Sequence, residues 1–497
     1  MRSGSAGDRR GGVVGAVVAA VGVVSLAVSL AAVPTAADAT TTSVDCPAAS
    51  ISAHSSVAAY RGTAVETRGP VRVGLPAPSD ALTGRLRAAV NHAVRFLVTS
   101  WWQGCYGRQA GPVVLGGTDE VHVRPAAAAA YTIAIAIRTG AYDQSVTGVS
   151  VATATRIATD LALGVAVHYR ANDPAGWSAG WQSSHWADYA GTAAWMLWPR
   201  LSEDARQRVA RMVAAEADMQ AGKPAVARVP YYADRSGHVN TPGDTKAEEN
   251  AWNAGVLSLA AVMMPTDPRA KRWSRVNVEL LMSAFSRRAD LTNRTIINGQ
   301  AVSAWLNGYN VFDDGTLVNH GIIHPDYMSS VELNSHSSIH SGLAGQSAPR
   351  AATFGADKVY GALTRRVFAA PPFQAPGGTI YRSGSGDVYF PQGTDWGTGR
   401  AANFVDGDIT AMASGYDTSG VAATWAGVHL GKVLREQARS TDGRSYLGHF
   451  SAAGSEDRYP GREQWVGATL AGAWVMNYLA YHRLLSVTNA TVIVPGS

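Results

Sequence analysis

Beyond residue 80 the chain reads as one amphipathic helix after another, and that succession limits the fold more than any other feature. Apolar residues recur at three- and four-residue spacing over 82–99, 126–138, 151–169, 185–197, 203–219, 246–263, 275–287, 326–343, 356–368, 406–414, 422–435 and 463–485. Breakers such as Asn172-Asp173-Pro174, Pro265-Thr266-Asp267-Pro268 and Pro371-Pro372 punctuate them. Strand-like stretches appear at 379–382 and 387–390, joined by Ser383-Gly384-Ser385-Gly386, which reads as one hairpin. There is no βαβ alternation and no fixed-period repeat, which excludes a parallel sheet or a solenoid. Consecutive antiparallel helical pairs in this number can close into an (α/α) toroid, and an irregular bundle is the alternative. The long polar loops at 223–249 and 289–325 favour the toroid, since long loops in compact domains usually carry function. The expected class is therefore all-α: an incomplete or six-hairpin (α/α) toroid with a small β-hairpin insertion and no large β-sandwich.

The first 39 residues read differently. Arg2, Arg9 and Arg10 precede an apolar stretch over 13–33, and Ala37-Asp38-Ala39 offers a small-x-small cleavage site, the pattern of an export signal. The Arg9-Arg10 pair also raises the twin-arginine route. The expected organisation is a signal peptide over 1–39, an arm over 40–80, a toroid over 81–485 and a tail over 486–497. No later segment is long and apolar enough to span a bilayer, so no stable membrane association is expected after cleavage. An exported chain whose two cysteines are Cys46 and Cys105 is expected to pair them. The net charge of +5 is dispersed without a basic run, which disfavours nucleic acid. Fourteen Trp and 18 Tyr outnumber nine Phe, an excess of amphipathic rings suited to a wet, sugar-binding cleft.

Reactive side chains concentrate in three loop-to-helix junctions. One runs from Asn307 through Asn310, Asp313, Asp314, His320, His324 and Asp326 to Tyr327. A second holds Asp244, Lys246, Glu248, Glu249, Asn250, Trp252 and Asn253, and a third holds Tyr389, Asp395, Trp396 and Arg400. The run Asp314-Gly315-Thr316-Leu317-Val318-Asn319-His320, followed by Tyr327, resembles the Asp-Gly-Ser-Phe-x-x-His…Tyr signature of toroid-type polysaccharide lyases. Hyaluronate, chondroitin AC and xanthan lyases carry that signature, and alginate and heparin lyases have looser versions. The resemblance implies that His320 and Tyr327 are catalytic and that Asn250 or Asn253 neutralises the substrate carboxylate. It departs in the short His-to-Tyr gap, in His324-Pro325-Asp326-Tyr327-Met328 replacing a Gly-rich segment, and in the missing β-sandwich region.

Chemistry gives the same set a sufficient role. Elimination across a uronic acid removes the proton alpha to a carboxylate, so charge develops on that group and needs hydrogen-bond donors to hold it. A His or Tyr takes the proton and a Tyr returns one to the leaving oxygen. Arg400 or Arg382 can bind the acid group as a fork. Trp252 and Trp396, with Asn253, Asn310 and His324, are expected to line subsites, and no cofactor is needed. The expected partner is thus an acidic polysaccharide, acted on by a secreted monomer.

Two rival readings stay open. A glycoside hydrolase on the same scaffold needs a carboxyl pair, for which Glu248 or Glu249 with Asp313, Asp314 or Asp395 are the candidates. A non-catalytic secreted protein uses the same rim only to hold glycan. His320-x-x-x-His324 has the spacing of two metal ligands on one helix face, but Gly321 and Pro325 oppose a helix there, so no metal is expected.

Overall fold

A computed structural model describes Cys46, residues 64–447 and residues 461–490; the expected leader over 1–39 lies outside these. The chain is mostly helical, with small strand pairs and no large sheet. Twelve helices of ten or more residues occur among the described residues. They are α1 Ala81–Phe96, α2 Glu120–Arg138, α3 Val151–Val167, α4 Ser183–Met196, α5 Glu203–Gly222 and α6 Ala247–Met263. The others are α7 Ala270–Ala284, α8 Glu332–Leu343, α9 Ala356–Arg365, α10 Ala401–Ser414, α11 Ala422–Gln437 and α12 Arg462–Tyr481. Several start where a short polar side chain takes up orphan backbone N–H groups. Asp80, Asp119, Ser150 and Ser202 cap α1, α2, α3 and α5 in this way.

The even-numbered helices pack in a closed succession: α2 on α4, α4 on α6, α6 on α8, α8 on α10, α10 on α12, and α12 back on α2. The odd-numbered ones lie against these, α3 on α2 and α4, α5 on α4 and α6, α7 on α6, α11 on α10 and α1 on α12. Composition follows the position. α2 is buried nearly all round, including Ala126, Ala127, Ala128, Ala129 and Ala130 at 0% exposure, as a helix with neighbours on every side must be. α1 and α7 are two-faced instead, with apolar residues turned inward and Arg85 or Arg275 outward.

Residues 64–80 act as a strap. Gly74 N–H donates to Arg138 O, Arg68 N–H to Met263 O, and the Val71 and Arg72 N–H groups to Leu343 O. Those acceptors are orphan carbonyls at the C-terminal ends of α2, α6 and α8, so the strap completes the hydrogen bonding of three helices. The Cys46–Cys105 disulfide closes the expected pairing, with Cα atoms 5.3 Å apart. No helix among the described residues is long and apolar enough to cross a membrane.

Differences from the sequence reading are local. α2 begins six residues before its expected start because Asp119 caps it, and Pro125 is carried inside the helix. The expected helix over 326–343 is two pieces, Pro325–Ser329 and α8, divided at Ser330 and Val331. Ser330 Oγ donates back to Tyr327 O at the break. The expected hairpin over 379–390 is reduced to one bridge, Tyr381 with Val388, while Gly378–Thr379 pairs with Val367–Phe368.

Two stability predictions arise here. Replacing Asp119 by Ala strips a cap that accepts from Val121 and His122 N–H, and should lower unfolding free energy by about 1 kcal/mol in urea titration. Glu463, at the start of α12, is half-buried and its pKa is pushed up to about 7 by loss of hydration. A raised acid pKa means the native state holds its proton longer than the unfolded chain, so this stability is present at acid pH and lost as pH rises through about 7. The melting temperature of Glu463→Gln relative to the natural chain should therefore climb between pH 5 and 8; a flat difference contradicts it.

Candidate active site

One cavity, of about 550 Å³ including its open mouth, is walled by the beginnings of α4, α6, α8, α10 and α12. Gln182 comes from the start of α4, Glu248 and Trp252 from α6, Glu332 and Leu333 from α8, Arg400 and Asn403 from α10, and Trp465 from α12. Helices whose first turns meet at one cavity present their positive dipole ends to it, which favours an anionic occupant. Trp181 stands 53% exposed at the rim, edge-on to the buried Trp252 at 5.3 Å. Trp396 closes another side, with the Arg400 guanidinium stacked 3.7 Å over its ring and Tyr327 tilted 4.9 Å from it.

His320 reaches this region from the tip of a two-residue hairpin, in which Val318 pairs with Ile323 and Asn319 with Ile322. The loop residues His320 and Gly321 both have positive φ, 51° and 79°. Turns of that kind favour Asn, Asp or Gly at the first position, so an imidazole there sits against local preference.

The hairpin aims the two ring nitrogens of His320 in different directions. Nδ1 lies 2.6 Å from Asp395 Oδ2, and Nε2 lies 3.3 Å from Tyr327 Oη. Burial by itself would raise the Asp395 carboxyl, but hydrogen bonds from His320 and His324 outweigh it and hold its pKa below the ordinary value. An ionised carboxylate only accepts, so His320 must carry its proton on Nδ1, leaving the Nε2 lone pair towards the Tyr327 hydroxyl. Burial raises the Tyr327 pKa, so its phenol stays protonated. The order Asp395–His320–Tyr327 is a continuous path for a proton.

His324 completes the cluster from below. Its side chain is 0% exposed, Nε2 lies 3.2 Å from Asp395 Oδ1, and burial pushes its pKa down to about 4. The carboxyl groups on the cavity wall are not all charged: burial raises Glu248, helped by Glu249, and burial with Asp406 raises Glu332.

The expected site residues divide sharply. His320, Tyr327, His324, Asp395, Trp396, Arg400, Trp252 and Glu248 come together. Asn250 does not: it is fully buried and its amide nitrogen binds Pro230 O and Ser283 Oγ, so it is spent on the interior. Asn253 is half-buried on α6 and does not line the cavity. Asn310 clamps its own loop, accepting from Tyr232 and Lys246 N–H and donating to Ser283 O. Arg382 binds Gly377 O and stacks on Tyr389 away from the cavity. Asp313 accepts from Ala289 N–H, Asp314 holds the Thr316 turn and Arg366, and Glu249 pairs with Lys246.

The amides facing the cavity are instead Asn403 and Gln182, which the sequence reading passed over. Asn403 lies one turn after Arg400 in α10, which starts at Ala401, five residues before the expected helix over 406–414. Trp465 opens α12 and binds Asn403 Oδ1 through its ring N–H at 3.3 Å. No family model matches the chain, and neither does any curated protein or solved structure.

Proposed function

We propose that the protein is a secreted polysaccharide lyase that cleaves a uronate-containing polymer by β-elimination on an (α/α)6 toroid. The circular packing order of the even-numbered helices, with the odd-numbered ones outside, supports the toroid. The Cys46–Cys105 bridge fits an oxidising compartment outside the cell. The observation that carries the chemistry is the Asp395–His320–Tyr327 path at the edge of a tryptophan-lined cavity.

In the proposed reaction the substrate carboxylate meets Arg400, with Asn403 and Gln182 donating hydrogen bonds as charge builds on it. Asp395 fixes the His320 tautomer, and Nε2 removes the proton from the carbon alpha to the carboxylate. The C–H electron pair becomes the new double bond as the C–O bond to the leaving sugar breaks. Tyr327 gives its phenolic proton to the departing oxygen. Its proton is replaced from His320 across the 3.3 Å contact, so atoms and charge balance with no water consumed.

The hydrolase reading retains one favourable observation: Glu248 is a buried carboxyl with a raised pKa on the cavity wall, as a general acid requires. A panel of uronate polymers and neutral glycans decides between them. Elimination gives an ultraviolet-absorbing unsaturated product on the uronate polymers only. Reducing ends without that absorbance, lost in Glu248→Gln, would establish hydrolysis instead.

A further inference from the structure

The geometry points to a zinc-class divalent cation site formed by His320, His324 and Asp395, whose occupation switches off the proposed base. This last clause rests on the elimination reading; the site itself does not.

The three donor atoms come from separate places in the fold: His320 from the hairpin tip, His324 from the residue capping the Pro325–Ser329 helix, and Asp395 from the loop before α10. One ligand atom from each lies within 4.8 Å of the other two. A tetrahedral zinc ion with bonds of about 2.0–2.1 Å holds its ligand atoms roughly 3.3 Å apart, so a closure of the donors by up to about 1.5 Å is required. Two of the three residues can supply it, because His320 and Asp395 have side chains 37% and 51% exposed on loops. Sequence spacing suggested a helical pair of histidines; the third ligand comes instead from 71 residues downstream of His324.

The donor set also fixes the class of cation. Two imidazoles and one carboxylate suit zinc and its transition-metal neighbours, whereas magnesium and calcium prefer oxygen cages. Three protein ligands leave a fourth position open, facing the exposed side of His320 and Asp395. The outer arrangement fits as well. His324 has its second ring nitrogen, Nδ1, 3.8 Å from Asp326 Oδ2, the carboxylate behind a histidine that commonly orients a metal ligand.

Occupation has a definite consequence for His320. A cation bound through Nδ1 takes the lone pair there, which forces the proton onto Nε2. Nε2 then donates where it had accepted, and neither the substrate proton nor the Tyr327 proton can move to it. The cation replaces the very proton by which Asp395 sets the active tautomer.

The test is zinc titration of the full mature chain against a chromogenic chelator, with magnesium as the control cation. One zinc per chain is expected, with affinity reduced at least about 100-fold in His320→Ala and Asp395→Asn, more than the 10–100-fold usual for an outer partner. Both substitutions are at exposed side chains, and circular dichroism checks that the fold is kept; His324→Ala is the buried third arm. No stoichiometric zinc, or binding unchanged in His320→Ala and Asp395→Asn, overturns the site. On a uronate polymer zinc should lower the rate and chelator restore it, and a zinc-stimulated rate overturns the switch. Stoichiometric, variant-sensitive binding in a chain that eliminates nothing upholds the site and removes the elimination reading.

Discussion

Replacing His320 by Asn should cut kcat on the preferred uronate polymer by about 10²–10⁴-fold, the range for losing a positioned general base, with KM little changed. Asn is the informative replacement. It tolerates the positive φ of 51° that position 320 imposes, and it is the residue that a tight hairpin prefers there. The variant should thus melt at or above the temperature of the natural chain while losing its activity. That combination separates chemistry from folding, since the cost of keeping an imidazole in a strained turn is relieved when it is removed. His320→Ala gives the same loss of rate with a less favourable backbone. An Asn variant that turns over within about three-fold of the natural chain would show that the base lies elsewhere.

Tyr327→Phe should cost a comparable factor, about 10²–10⁴ in kcat, for a different reason. In the proposed elimination the hydroxyl delivers a proton to the leaving sugar, and its loss leaves His320 Nε2 without its 3.3 Å neighbour. The ring is buried against Trp396 and His320, and Phe keeps that packing. Substrates with a good leaving group, such as an aryl ether at the scissile position, need no proton on departure. They should restore most of the Tyr327→Phe rate and none of the His320→Asn rate. Equal rescue of both, or of neither, would contradict the division of roles.

The sequence carried the helical organisation well, because each long helix buries a face and must repeat at 3.6 residues to do so. It also pointed to His320 and Tyr327, which lie seven residues apart and are joined by a hairpin and a short helix. Other partners were set by tertiary placement. Asp395 is 75 residues from His320, and nothing local to either marks the contact. Asn250 stands two residues before Trp252, yet residues two apart on a helix point to nearly opposite sides. Trp252 turns to the cavity and Asn250 to Ser283. Asn403 and Gln182 are the amides on the cavity wall, at the beginnings of α10 and α4, and helix starts are the positions periodicity locates worst. The zinc-type cluster was hidden for a related reason: the spacing of His320 and His324 suggested a helix, and Gly321 and Pro325 correctly excluded one. A hairpin tip followed by a helix cap brings the two rings together by another route, 5.7 Å between centroids.

The central claim is that a carbon-bound proton leaves through His320 and that water takes no part in bond cleavage. Digestion of the preferred uronate polymer in ¹⁸O-labelled water, followed by mass spectrometry of the oligosaccharides, tests it most directly. The account predicts unsaturated products lighter by one water than hydrolytic fragments, with no label fixed at the cleaved bond. Saturated products carrying one ¹⁸O at each new reducing end would contradict it.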